Sequence, residues 1–369
     1  MKALVIGGSG FLGQYLVEGL CADGVEAISF SRRSNETFRA RGIEERLGDV
    51  SSFDDVDSAV RGCDTVFCVA AFPSIVMDPR PYYLTNILGA KNVVAACLKE
   101  KVRRLVYTST QCVANTIESQ EGVDESTPYA PKFLGWYQMT KAIAEQVVRA
   151  ANYVPWTPDY DFGGVDLSER KFHSLSSQFT FPTEKRDPNR EDSLMTVALR
   201  PHLIWGPRER HLVPRLLARA RAGKLARVGN GENRLATIYV ENCADAHRLA
   251  AKALQPGGTT PGSVYYVSQS EPLNCWKWID DILALVGEPP VKRAVSFAAA
   301  WRLGGALEKI YAWLRLKTEP VMTRFLATQL AKSYWFDTSR ARKELGFIPK
   351  ISTAEGMKRL GEDLRARNV

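Results

Sequence analysis

Histidine is scarce in this 369-residue chain. There are four, at positions 173, 202, 211 and 247, and none has a partner four residues away. The seven cysteines, at 21, 63, 68, 97, 112, 243 and 275, are odd in number and irregularly spaced. Cys63 and Cys68 do not form a C-x-x-C pair, and no Cys/His set has zinc spacing. A disulfide framework is thereby excluded, no metal site is expected, and the thiols read as reduced and packed in a cytoplasmic protein. No stretch of about 18 uninterrupted apolar residues occurs, which argues against a membrane-spanning helix. Acidic charge falls short of basic, 41 against 49, leaving a net charge of +8. The excess is spread along the chain without a long basic run, so no nucleic-acid partner is expected. A strand-like run starts directly after Met1, so no secretory leader is expected either.

The rest is an ordinary globular balance, with 45% hydrophobic and 24% charged residues. The length suits about two to three domains. It buries a core without covalent staples.

The run Lys2–Ile6 is short and apolar. Gly7-Gly8-Ser9-Gly10-Phe11-Leu12-Gly13 follows, and Gln14–Leu20 then shows helical spacing. This is strand, glycine turn and helix. Gly7 permits the tight turn, Gly10 lets backbone approach a pyrophosphate, and Gly13 lets the helix sit close to the strand. The helix N-terminus at Phe11 and Leu12 then offers free N–H groups to phosphate. The bland alternative is a simple tight turn. A second strand, Glu26–Phe30, runs into Ser31-Arg32-Arg33. A carboxylate here would hold a ribose 2′-hydroxyl; arginine suits a 2′-phosphate, so NADP(H) is favoured over NAD(H). The alternative for Arg32 and Arg33 is a pair of solvated loop charges. Glu45–Val50 reads as a short strand ending in Gly48-Asp49-Val50; Asp49 is either a plain turn residue or, following a third strand of this fold, a neighbour of the adenine. A fourth strand from Thr65 ends in Ala70-Ala71, small enough for close cofactor approach.

Arg104–Thr110 reads as a strand entering a Thr108-Ser109-Thr110 hydroxyl cluster. Twenty-seven residues after Thr110, Tyr137 and Lys141 stand four apart on one predicted helix face. A free tyrosine has a pKa of about 10, too high for easy proton exchange at neutral pH. A nearby ammonium favours the phenolate, so Lys141 is expected to lower the Tyr137 pKa. A Ser or Thr hydroxyl then fixes the substrate oxygen. A packed tyrosine and a solvated lysine on a surface helix are the bland alternative.

Together these residues resemble the extended short-chain dehydrogenase/reductase superfamily, in its 3β-hydroxysteroid dehydrogenase-like branch. Leu199–Pro207, Gly229–Asn233 and Ile238–His247 carry the resemblance into the second half. Within that branch, Thr196–Pro207, Leu212–Leu216, Leu273 and Thr323–Leu326 are most similar to bacterial 2-alkyl-3-oxoalkanoate reductases of olefin biosynthesis. The resemblance implies an α/β fold, a doubly wound parallel sheet with a smaller, discontinuous α/β lobe closing over the substrate. Residues 1–204 and 236–268 would form the core, and 205–235 with 269–369 the lobe. It assigns the hydroxyl role to Thr110, with Ser109 as fallback, and the proton to Tyr137. Lys141 would also hold the nicotinamide ribose, Asn86 would support the site, and Pro201 would lie against the nicotinamide. Cys68 and Val69 depart from the pattern before Ala70, which changes packing but not chemistry. The implied substrate is a hydrophobic 2-alkyl-3-oxoalkanoate reduced to its 3-hydroxy acid. The alternatives are a 3β-hydroxysteroid or sterol-4α-carboxylate dehydrogenase and, in another class, a nucleotide-sugar epimerase. A homodimer through paired helices including 137–150 is expected, with contact to a membrane or to pathway enzymes as further partners.

Two segments stand apart. Residues 152–193, rich in proline and charge, read as an insertion, either a lid or a surface excursion. Residues 294–316 are aromatic and aliphatic, with Arg302, Glu308, Lys309 and Arg315 interspersed. The default for them is lobe core or the wall of an apolar channel, and the alternative is an interfacial helix. The arginines of helix 211–223 are expected on a solvated face, with a substrate carboxylate as the alternative.

Overall fold

A computed structural model of the chain describes residues 1–154 and 193–367. Most of the expected insertion, 152–193, therefore lies outside the described residues. The strands are β1 (Lys2–Ile6), β2 (Glu26–Ser31), β3 (Glu44–Leu47), β4 (Thr65–Cys68), β5 (Arg104–Thr108), β6 (Gln120–Val123), β7 (Met195–Pro201), β8 (Ile204–Trp205), β9 (Arg227–Val228), β10 (Arg234–Leu235), β11 (Ile238–Tyr239), β12 (Val264–Val267), β13 (Leu273–Asn274), β14 (Ala294–Val295) and β15 (Tyr334–Phe336). The helices are α1 (Phe11–Ala22), α2 (Glu36–Ala40), α3 (Phe53–Val60), α4 (Arg80–Tyr82), α5 (Gly89–Lys99), α6 (Trp136–Ala150), α7 (Leu212–Arg221), α8 (Val240–Ala253), α9 (Cys275–Ala284), α10 (Phe297–Trp313), α11 (Arg324–Ala331), α12 (Ser339–Leu345) and α13 (Thr353–Ala366).

Seven strands form one parallel sheet in the order β12-β7-β5-β4-β1-β2-β3. The near-continuous burial of β1, β4, β5, β7 and β12 marks strands covered on both faces, whereas β3, at one edge, has no buried residue. One face is packed by Val56, Val93, Ile143 and Val147 from α3, α5 and α6. The other is packed by Leu16, Cys243, Ala250 and Leu345 from α1, α8 and α12. The chain winds outward in opposite directions from β1 and β4, so the carboxyl ends of these strands flank a crevice, where ligands bind in such sheets. A second sheet, β13-β10-β15-β6, underlies the smaller lobe. That lobe centres on Trp205, Trp276, Trp278 and Tyr334. Strand β6, from the chain's first half, pairs in parallel with β15, Tyr334 opposite Gln120. All seven cysteines are free, six of them buried.

One expectation is corrected here. Segment 294–316 does not form lobe core or an enclosed channel wall: of α10 only Ala300 and Gly304 are buried. These small residues let α10 press one face against α11, where a Cβ on Gly304 would come within 2.6 Å of Thr323 backbone. Phe297 packs partly buried against the lobe core, while Leu303, Ile310 and Trp313 are left exposed. Helix α6 buries eleven of its fifteen residues within the single chain.

Candidate active site

The glycine turn closes as its spacing predicts. Gly7 adopts φ +91°, and a Cβ there would come within 2.8 Å of the Ala70 nitrogen. A Cβ on Gly13 would collide with the Gly7 carbonyl oxygen. Gly10 is the N-cap of α1, without a side-chain cap or an acidic residue in the first turn. The amides at Phe11 and Leu12 and the positive helix end are left for an anion, so the cradle fits a dinucleotide pyrophosphate.

Arg32 and Arg33 are exposed just past the end of β2. The Ser31 hydroxyl donates to the Arg33 carbonyl at 2.7 Å, fixing this turn. Glu45, on neighbouring β3, is engaged by the Ser34 hydroxyl and the Asn35 amide. Burial works against ionisation of Asp49, but the Ser51 amide and hydroxyl, with Arg32 nearby, hold its carboxyl below the usual range. Val50 is buried and its carbonyl accepts from Asn92 at 3.0 Å. The Ala70 amide donates to the Ile6 carbonyl at 2.9 Å, and Ala71 follows it beyond the carboxyl end of β4. Pro201 ends β7 opposite Val267.

Asn86 sits in a π-helical turn, Tyr83–Leu88. Such turns recur at functional sites because they displace one side chain from the regular helix face. Its Oδ1 accepts from the Phe72 amide and its Nδ2 donates to Thr140 Oγ1, both at 2.9 Å. It thereby ties the loop after β4 to α6.

Thr110, Tyr137 and Lys141 come together at the carboxyl end of β5. Thr110 caps a short 3₁₀ turn, Gln111–Ala114, its hydroxyl accepting from the Cys112 amide, and its side chain stands close enough to Tyr137 to favour the phenolate. The Ser109 hydroxyl instead donates to Glu145 and points away from the site. Lys141 is only 1% exposed. Its Nζ lies 2.7 Å from the Tyr107 hydroxyl and 2.6 Å from the Thr108 carbonyl. Burial pulls this ammonium down to about 8.

This geometry corrects the electrostatic expectation for Tyr137. Its phenol is pushed up, first by burial and then by Cys112 and Tyr82, while Thr110 alone favours the ionised form. The reason is directional: the lysine head is held by Tyr107 and Thr108 instead of facing the phenol.

Several residues outside the predicted set complete the site. Glu145 extends the Tyr137/Lys141 face by one more turn and is fully buried. It receives Arg200 Nε and Nη2 at 3.0 and 2.7 Å and the Tyr129 hydroxyl at 2.8 Å. Burial opposes the Glu145 carboxylate, yet the Arg200 guanidinium holds its pKa below the usual range. Arg200 lies 5.4 Å from the ring centres of both Tyr129 and Tyr266. His247 on α8 bonds Thr108 Oγ1 at 2.7 Å, and burial lowers it to about 4, so it is neutral. The i+4 step from Lys141 and an arginine inside an apolar strand were the available signals for Glu145 and Arg200.

Over Tyr137 lies a pocket walled by Ile75, Val76, Met77, Leu134 and Phe325. Its rim is stitched by Glu319, which accepts the Ser74 hydroxyl at 2.7 Å and pairs with Arg215 at 2.6 Å. A wider open cleft, at Arg234, Trp335 and Arg342, includes none of the residues above. Of the two, the smaller, apolar one is lined by Tyr137.

The family model described as the 3-beta hydroxysteroid dehydrogenase/isomerase family matches residues 4–157 and 183–295. The chain belongs to this family. It is an oxidoreductase of the short-chain dehydrogenase/reductase kind acting on CH–OH groups. A 2-alkyl-3-oxoalkanoate reductase of Shewanella oneidensis is 40% identical over 363 residues, covering 98% of this chain and 86% of that protein. The human sterol-4-alpha-carboxylate 3-dehydrogenase, decarboxylating, is 30% identical over 99% of this chain and 88% of its own. The fold is shared with a UDP-glucuronic acid 4-epimerase from Bacillus cereus in complex with NAD, at TM-score 0.69, 18% identity and full coverage of both chains.

Proposed function

We propose that this family member reduces the 3-keto group of a long-chain 2-alkyl-3-oxoalkanoate to the 3-hydroxy acid, using NADPH. One observation carries the reading: Thr110, Tyr137 and Lys141 meet beside the glycine cradle, under a pocket walled by hydrocarbon. The 40% identical Shewanella reductase supports the substrate class.

Gly7, Gly10 and Gly13, with the Phe11 and Leu12 amides, hold the pyrophosphate; Asp49 and Val50 border the adenine, and Ala70, Ala71 and Pro201 the nicotinamide side. Arg32 and Arg33 meet a 2′-phosphate, since β2 runs into Ser31-Arg32-Arg33, where preference for a 2′-hydroxyl would call for a carboxylate. When bound, the reduced nicotinamide supplies the hydride to the carbonyl carbon. Tyr137 gives its proton to the developing alkoxide, and its raised pKa keeps that proton available at neutral pH. Thr110 donates a hydrogen bond to the same oxygen. Lys141 holds the floor through Tyr107 and Thr108 and lies within the ribose side of the site. Glu145, by holding Ser109, is a positioning residue for Thr110.

The test compares NADPH and NADH oxidation with a synthetic 2-alkyl-3-ketoacid and a steroid panel. Turnover of the ketoacid with NADPH is expected. Turnover of sterols alone would sink the reading in favour of the sterol-type dehydrogenase activity named for the human relative. An epimerase would require a polar sugar pocket, which Ile75, Val76, Met77 and Phe325 do not provide.

A further inference from the structure

Helix α10 carries its hydrocarbon outward. Ala299, Leu303, Ala306, Ile310 and Trp313 recur at intervals of four and three, so they share one helix face, and all are exposed. Trp313 is 82% exposed. In the segment that follows the helix, Leu314, Leu316 and Val321 are exposed as well. A contiguous apolar surface of this kind marks an interaction site.

Its surroundings identify the occupant. Arg302, Lys309, Arg315 and Lys317 are all exposed in this segment. The two acidic residues there are already engaged inside the protein. Glu308 is held by the Arg324 amide and side chain, each at 2.7 Å. Glu319 is held by Arg215 and Ser74. Large apolar side chains with a cationic rim suit an interface of hydrocarbon and anionic headgroups. A second copy meeting the same face in a two-fold dimer would bring cationic rims together, which disfavours that arrangement.

The surface also borders the pocket. Gly304 abuts the Thr323 and Arg324 backbone, and Thr323 and Phe325 line the pocket over Tyr137. Segment 314–322 joins α10 to that wall.

We propose that the outer face of α10, continued through residues 314–321, docks on an anionic lipid surface and sets the pocket mouth against it. A long-chain ketoacid would then pass from the lipid into the pocket without its hydrocarbon crossing water. This delivery step rests on the proposed reaction; the docking itself does not.

The test is flotation of the full chain with phosphatidylcholine vesicles, with and without phosphatidylglycerol. Binding is expected to the anionic vesicles and to weaken with salt, each Lys or Arg near the surface contributing roughly fivefold. The double variant Ile310→Glu/Trp313→Glu should lose at least about tenfold in vesicle binding. Its melting temperature and its turnover of a short, water-soluble ketoacid should match the wild type. Absence of flotation, or undiminished binding of the double variant, overturns the proposal. So does an oligomer that the double variant dissolves while neither protein binds vesicles, an outcome that assigns the face to a second copy. Flotation needs no turnover, so failure of the proposed reaction leaves this readout intact.

Discussion

Helices α6 and α10 are built in opposite senses. Helix α6 turns Lys141 and Glu145 into the interior, where both are at most 1% exposed. Helix α10 turns leucine, isoleucine and tryptophan to the outside. Soluble proteins usually do the reverse in both respects. Buried charge survives on α6 because each group has partners in place: Arg200, Ser109 and Tyr129 for Glu145, Tyr107 and Thr108 for Lys141. Among the described residues, the exposed hydrocarbon on α10 has no such partners. The contrast separates residues that hold chemistry in position from residues that await a surface.

The largest effect should come from breaking the α6 arrangement. Glu145→Ala leaves Arg200 buried without its counter-ion and should cost about 3–5 kcal/mol of stability, read by urea denaturation. The Glu145 pKa is lowered in the fold, so the pair's contribution is present above the ordinary glutamate pKa of about 4.3 and is lost as pH falls through the lowered value. Tyr137→Phe should lower the ketoreduction rate by at least about 10²-fold with little change in melting temperature; near-normal NADPH oxidation would refute the mechanism.

Proton titration sharpens the same comparison. The Lys141 ammonium loses its charge as pH rises through about 8, and kcat/KM for ketone reduction should decline over that range. Stability should move the other way. The unfolded lysine keeps its proton to about 10.4, so folding is favoured as pH climbs between the two values. Activity falling together with stability would contradict this assignment. On α10, Gly304→Val forces a side chain against the Thr323–Arg324 backbone and should cost about 1–3 kcal/mol. Trp313→Ala, on the outer face, should change stability by no more than about 0.5 kcal/mol.

The nucleotide cradle was legible because its determinants are local: Gly7, Gly10 and Gly13 lie within one turn between a strand and a helix. Tyr137 and Lys141 were legible for the same reason, four residues apart on one face. The partnership of Glu145 with Arg200 was not, because 55 residues separate them and only folding brings them together. The direction of the Tyr137 shift was also hidden, since spacing places Lys141 near the phenol but does not say which way its ammonium points. Helix α10 misled because composition reports apolar content, whereas Ala300 and Gly304 decide which side faces inward. The pairing of β6 with β15 had no local signal at all.

That last pairing has a bearing on how the molecule comes apart. Strand β6 leaves the turn that begins at Thr110, and it is hydrogen-bonded to a strand more than 200 residues later, Gln120 to Ser333 at 2.9 Å. Helix α12 then carries the chain back so that Ala341 and Leu345 fill the core of the large sheet. The two sheets are sewn together twice, in opposite directions. Neither half owns a complete set of strands and helices, so they should melt as one cooperative unit, with calorimetric and van't Hoff enthalpies in agreement.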